Sequence, residues 1–285
     1  MHKNNKAFRL IFTLPIIIYV IFLVVLPILY IVAISFFKSD SYGGMITTIT
    51  LENYKELFSY VYMKIFLKSV VVAGATTLIS ILISYPFVLA VSHKSKKVQE
   101  ILMTLVMVPF LTNSLIRIYG WIVLLRKYGV INQVLMGANI IDEPLSLIYN
   151  NFGIIIGMVY TLVPFMILPL YSSVTTIDRS LLEAASDLGA SKWQKFKNII
   201  LPQTASGLFN GSLMVFSPAL GYFFVVDVLG GGKMMILGNL IKNQFLTARN
   251  WPLGAAISVF LILITTILIV IYRKLGGKMD ELGGV

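Results

Sequence analysis

Five stretches of this chain run for more than 20 residues without a charged side chain: Leu10–Phe37, Ser69–Ser92, Pro144–Ile177, Ile199–Val226 and Asn250–Tyr272. A sixth, Ile101–Leu125, is interrupted only by Arg117. A helix crosses the hydrocarbon of a bilayer in about 20 apolar residues. Each stretch therefore reads as one crossing. Composition closes off the alternative of burying them in one soluble core: 58% of the residues are hydrophobic and 12% charged, against roughly 25% charged in a soluble domain. Lipid must cover the excess. The expectation is an all-α membrane protein with six transmembrane helices in a single domain over residues 1–285. The spans fall at about 10–37, 69–92, 101–125, 146–171, 203–227 and 251–272. The first is too long for the apolar core of a signal peptide, roughly 7–15 residues, and is expected to be a retained helix. Pro27, Pro86, Pro109, Pro164, Pro169 and Pro218 fall within spans and mark candidate kinks.

The formal net charge is +11. In a soluble protein that would suggest nucleic acid. Here the basic residues sit in short loops between apolar runs, which points to anionic lipid and topology instead. With both termini inside, the inner segments hold 13 Lys and Arg and the outer ones 9, an N-in/C-in bias, with Ser92–Glu100 the clearest inner loop. The outer loop Lys38–Lys68 contains a turn at Asp40–Gly44. Leu51, Tyr54, Leu57 and Phe58 follow at helical spacing, which suggests a short interfacial helix. There are no cysteines and two histidines, His2 and His93, both beside basic loop residues. No thiol chemistry or Cys-based metal site is available, and no metal is expected.

The inner segment 178–202 carries the most information. Leu181, Ala185 and Leu188 share one helix face, Gly189 breaks the chain, and Trp193, Phe196 and Ile200 resume at i, i+3, i+7. Pro202 suits the first turn of the next helix. This gives two short amphipathic helices joined by a bend. On pattern alone they are either an ordinary interfacial pair, with Ser180 and Glu183 forming a capping box, or a docking surface.

The spacing Glu183-Ala184-Ala185, three residues, Gly189, nine residues, Ile199, one residue, Leu201-Pro202 resembles the EAA loop of ABC importer permeases. The resemblance implies a MetI-like fold, with this segment as a coupling helix in a cleft of a separate ATP-binding subunit. Glu183 would make polar contacts there, Ala184, Ala185 and Leu188 would lie in the contact, and Gly189 would set the bend. Further along, Pro109-Phe-Leu-Thr-Asn113 through Trp121, Asp227 through Lys233, Leu237 through Phe245, and Trp251-Pro252-Leu-Gly254 resemble the polyamine (spermidine/putrescine) branch of that family. This implies uptake by alternating access in the plasma (inner) membrane. The implied partners are a homodimeric ATP-binding subunit that uses ATP and Mg, a second permease subunit, an extracytoplasmic solute-binding protein, and the lipid bilayer. The chain itself would bind no cofactor, catalyse no reaction and bind no nucleic acid. Having one such loop where two docking sites are needed, it would pair as a heterodimer.

Charged groups inside a membrane are functional candidates by default. Asp227 closes the fifth span after Tyr222, Phe223 and Phe224. Phe223 and Phe224 lie at i−4 and i−3 from it, so carboxylate and rings can share a face suited to an ammonium ligand. Asp227 either lies in a cation path or sits at the outer interface, solvated or paired with Lys233. Asn113, Tyr119 and Asn239 are neutral polar groups that line a path or act as interhelical glue. Arg117 would repel a cation; its structural role would be to pair with an acid or cap carbonyls. Gly230-Gly231-Gly232 lacks phosphate-loop spacing and is expected to be a flexible re-entrant or hinge segment. Two alternatives stay open. The same architecture could import ferric iron, an inorganic anion or an organophosphonate. An intramembrane enzyme would need paired acids, His or Cys within the spans, where only Asp227 and Arg117 occur.

Overall fold

In the computed structural model, residues 13–40 and 42–274 are described. Among them four helices are long and apolar enough to cross a bilayer, and six do so if each of two bent pairs counts as one span. The first twelve residues of the chain, including 10–12 of the expected first span, lie outside the described residues. The described residues fall into two compact units. One contains residues up to 63 together with 240–264, the other 64–239 with the residues from 265 onward.

In the first unit, α1 (Thr13–Ser35) widens into a π-turn at Ile21–Val25, immediately before Pro27. Proline has no N–H to donate and its ring crowds the preceding turn, so the local register loosens. None of the most apolar window of α1 is buried; Ile16 and Phe22 are 65% and 66% exposed. A two-stranded hairpin follows, which the all-α expectation did not contain. Strands β1 (Phe37–Ser39) and β2 (Met45–Ile49) pair antiparallel with Phe37 opposite Ile49 and Ser39 opposite Met45. Gly43 and Gly44 turn the chain at φ +92° and +102°, backbone that glycine adopts without strain. The short helix α2 (Glu52–Leu57) occupies the interfacial stretch expected from its periodicity. Buried Asn53 anchors it, its amide donating to the carbonyls of Ser35 (2.9 Å) and Phe37 (2.8 Å).

The second unit contains most of α3 (Tyr60–Ser92), then α4 (Lys96–Met107) and α5 (Ser114–Leu125). The expected third span, 101–125, is not one straight helix. Pro109 tightens Val108–Leu111 into a 3₁₀ turn, and Asn113 starts a new helix by accepting the Leu115 N–H. The two pieces, Lys96–Leu111 and Ser114–Gly137, meet at 95°; the second ends in α6 (Val130–Gly137).

The core of this unit is α7 (Asn151–Thr175) against α10 (Ala205–Gly221). Met158, Leu162, Met166 and Leu170 of α7 and Val215, Ala219 and Leu220 of α10 are all 1% exposed or less. Small residues let the helices approach: a Cβ added at Gly207 would lie 2.5 Å from the Pro169 carbonyl, and one at Gly211 would lie 2.6 Å from Met166 Sδ. Glycines four apart at a membrane helix contact trade side-chain volume for close backbone approach. The expected fifth span, 203–227, is also divided. Between α7 and α10 lie α8 (Arg179–Asp187) and α9 (Lys192–Gln203). Pro202 belongs to the end of α9 rather than to the start of the next helix, and the 66° bend comes at Thr204. At its other end α10 stops at Gly221. Tyr222 has non-helical backbone (φ −78°, ψ 60°), and α11 (Phe223–Gly230) continues from it. Two helices complete the described residues, α12 (Leu237–Leu246) and α13 (Trp251–Lys274).

Candidate functional site

Two constellations inside the second unit gather the expected residues. The first is the lever α8–α9. Its start is set by Asp178, whose carboxylate accepts the Ser180 N–H at 2.9 Å. The hydrogen bonds from Ser180 hold the Asp178 carboxyl below its ordinary range. Because the folded value is depressed, this contribution is present above the ordinary aspartate value and fades as pH falls through the lower one. Ser180 is therefore not the cap, and Glu183 is not spent on a capping box. The box occurs one helix later, where Ser191 Oγ accepts the Gln194 N–H and Gln194 Oε1 accepts the Ser191 N–H.

The bend lies at Gly189, with φ +76°. Its N–H donates to Ser186 and the Ala190 N–H to Ala185, both at 2.9 Å. These paired bonds close the last turn of a helix around a left-handed residue. Lys195 Nζ donates to Ser186 Oγ at 2.9 Å and ties the two helices together. The apolar face read from the sequence is not buried within this chain: Leu181 is 45% exposed and Leu188 is 88% exposed. Glu183 and Ala184 are exposed and Ala185 half-buried. The lever is nevertheless anchored. Phe196 packs edge-on against Tyr85 at 5.3 Å between ring centres. The Thr204 hydroxyl donates to Ile200 O (2.8 Å) and accepts from the Tyr85 hydroxyl. Tyr85 in turn packs with Val88, Ile167, Leu170 and Val174. The sequence singled out Phe196 only as a periodic apolar residue; neither Tyr85 nor Thr204 gave a signal.

The second constellation surrounds Asp227. Buried Asn239 donates to Asp227 Oδ1 at 2.6 Å and to the Phe223 carbonyl at 3.2 Å, and its own oxygen accepts the Ile236 N–H at 3.1 Å. Asn239 thus fixes the carboxylate to the turn of helix that carries Phe223 and Phe224. Tyr119 meets Phe224 at 6.4 Å between ring centres. Tyr222 occupies the backbone break just ahead of these rings. Asn113 does not join the group. It is exposed, its side chain caps α5, and six residues of helix separate it from Tyr119, about 9 Å of rise. Lys233 makes no ion pair among the described residues.

Among the described residues Arg117 pairs with neither an acid nor a carbonyl. Its guanidinium lies over Phe110 (5.2 Å) and Tyr160 (5.8 Å), and its buried Nε has no hydrogen-bond partner. Phe165 packs on Phe110 and Trp121 on Tyr160. Cation–π attraction between desolvated groups, of order 2 kcal/mol, takes the place of the expected ion pair. The glycine run is likewise more packed than expected. Gly231 turns at φ +60°, and a Cβ on it would lie 2.6 Å from the Tyr149 ring. The Tyr149 N–H in turn donates to the Leu229 carbonyl at 2.8 Å.

The family model described as "binding-protein-dependent transport system inner membrane component" matches residues 85–281. The chain is 44% identical over 271 residues to the spermidine/putrescine transport system permease protein PotB of Haemophilus influenzae, spanning 95% of this chain and 94% of that protein. The Escherichia coli protein of the same name is 42% identical over 263 residues, spanning 92% and 96%. A chain from a bacterial ABC transporter involved in import of the acidic polysaccharide alginate superimposes with a TM-score of 0.76. That match is at 15% identity over 96% of each chain, a likeness of fold alone.

Proposed function

The chain belongs to the family of binding-protein-dependent transport system inner membrane components, and on that premise we propose that it is one permease subunit of a bacterial polyamine importer. The observation that carries the polyamine reading is the Asp227 carboxylate, held by Asn239 on the helix that presents Phe223 and Phe224. A carboxylate beside aromatic faces attracts an alkylammonium by charge and by the ring quadrupole. The near full-length relatives named for spermidine and putrescine support the same cargo.

The chain crosses the inner membrane several times, with both termini on the inner side, and the lever α8–α9 protrudes there. A homodimeric ATPase subunit docks on Leu188, Glu183 and their neighbours, binds ATP and Mg, and drives alternating access. A second permease completes the pathway, and a solute-binding protein delivers the polyamine from outside. Arg117, engaged by Phe110 and Tyr160, serves structure rather than an anionic cargo, which weighs against an inorganic anion or organophosphonate.

Uptake of labelled spermidine in cells lacking other polyamine importers tests the cargo. Expression of this chain with its partner subunits should raise uptake, and Asp227→Asn should lower it at least about tenfold. That is ~1.4 kcal/mol, within the range for a lost interaction with a charged group. No gain from the complete system would overturn the polyamine assignment. Gain with undiminished uptake by the Asp227→Asn variant would remove Asp227 from the path and leave the cargo standing.

A further inference from the structure

A cavity of about 630 Å³ opens beside the lever, where α3 ends at Ser92 and α7 ends at Thr175. Lys94, Lys96 and Arg179 line it, with His93 beside them, while Leu89, Val174 and Leu182 form an apolar floor. The volume suits a small ligand, about 300–1,000 Å³ being usual. Glu183 is the one carboxylate in the lining, on the lever wall. Among the described residues, neither it nor any of the three cations is engaged in an ion pair. The site therefore carries an excess of uncompensated positive charge.

The basic loop is held in shape. Gln99 Nε2 donates to the carbonyls of Ser92 (3.2 Å) and Lys94 (2.8 Å), and its Oε1 accepts the Tyr171 hydroxyl at 2.8 Å. Arg179 Nη2 reaches across from the lever to the Ser92 carbonyl at 3.1 Å. A guanidinium has five N–H donors, so most of its fork remains available to an oxyanion. Positive-inside loops are ordinarily loose, solvated runs. Here one glutamine, one tyrosine and one arginine fix the run into a concavity.

We propose that this cavity binds the phosphate of an anionic phospholipid headgroup. Planar arginine and mobile lysines suit phosphate oxygens. The site lies where two membrane helices end, the depth at which headgroups lie. Free phosphate would gain nothing from Leu89, Val174 and Leu182, whereas the glycerol and first methylenes of a lipid cover them. Leu182 and Glu183 belong to α8, so a bound headgroup braces the lever. That consequence rests on the coupling role proposed above; lipid binding itself does not.

The test uses the assembled transporter in nanodiscs of phosphatidylcholine with or without phosphatidylglycerol, and measures phosphatidylglycerol that stays bound after detergent extraction. Lys94 and Lys96 are exposed, so K94Q/K96Q should fold normally. It should retain about tenfold less phosphatidylglycerol than the parent, on the scale of polybasic attraction to anionic lipid. K127Q/K233Q, which removes two exposed lysines elsewhere, should retain as much as the parent. Equal retention by K94Q/K96Q and the parent, or equal loss in both double variants, overturns the site. Release of the lipid by millimolar inorganic phosphate would make it a free-anion site and overturn the lipid assignment. Loss of the ATPase subunit from K94Q/K96Q in lipid-free detergent would make the cations a contact for an acidic protein face, with the same consequence. Because no step measures polyamine, the result stands apart from the cargo assignment.

Discussion

A Gly238→Ala variant should assemble poorly and lose spermidine uptake, while Gly74→Ala should keep both. A Cβ at Gly238 would lie 2.2 Å from the Gly221 oxygen, 2.6 Å from its carbonyl carbon and 3.0 Å from its Cα. All three are backbone atoms, so no side chain can swing away; one chain segment must move. Overpacking a close contact costs about 1–3 kcal/mol, and here the displacement has a second effect. Gly221 is the last residue of α10 before the break at Tyr222, and Asn239 follows Gly238 directly. Pushing the two segments apart moves the amide that holds both Asp227 and the Phe223 carbonyl. Stability and cargo handling should therefore fall together. Gly74 lies inside α3 with nothing within 4 Å of an added Cβ. Alanine there should stabilise the helix by up to ~1 kcal/mol. Thermal unfolding of the purified complex, monitored by its retention on size-exclusion chromatography, separates the two. A Gly238→Ala complex as stable as the parent would show that the contact yields.

Much of this architecture is legible from charge spacing, because a bilayer enforces a long-range rule on local sequence. What the rule hides is where a helix breaks. Pro109 alone reads as a kink; the 95° turn needs Asn113, two residues past the 3₁₀ segment, to restart the helix with a side-chain cap. In the sequence, asparagine at that position reads only as a candidate path residue. The hairpin has a local signal in Gly43-Gly44 followed by the β-branched run Ile46–Ile49, a short one beside the long apolar runs. Asp178 and Ser180 are both good N-cap types, and only backbone geometry, extended at Asp178, decides between them. Asp227 and Asn239 were each visible as polar residues among apolar ones. Their hydrogen bond spans twelve residues and a chain reversal, and no periodicity encodes it. The cage around Arg117 draws Phe110 and Tyr160 from separate helices, so the sequence could show the cost of that charge but not how it is met.

Glu183→Ala and Gly189→Val should each uncouple ATP hydrolysis from uptake while leaving the membrane core folded. For Glu183 the argument is one of omission. Its exposed carboxylate makes no hydrogen bond or ion pair among the described residues, and alanine is the better helix former. Stability should stay within ~0.5 kcal/mol of the parent, so a drop of about tenfold or more in substrate-stimulated hydrolysis would report a contact made outside this chain. For Gly189 the argument is conformational. Nothing lies within 4 Å of an added Cβ, so bulk is tolerated, but φ is +76°. A β-branched residue resists that region, at a cost of about 1–2 kcal/mol or more. Valine should therefore unwind the bonds from Gly189 and Ala190 and swing α8 away from α9. Phe196 and Thr204 lie beyond the bend and keep their hold on Tyr85, so the core should remain intact. Gly189→Asn supplies the control, since asparagine adopts left-handed backbone readily. Full uptake by both Glu183→Ala and Gly189→Val would refute the lever. Loss with valine and retention with asparagine would show that the handedness of one turn, rather than the absence of a side chain, sets the angle at which the ATPase engages this subunit.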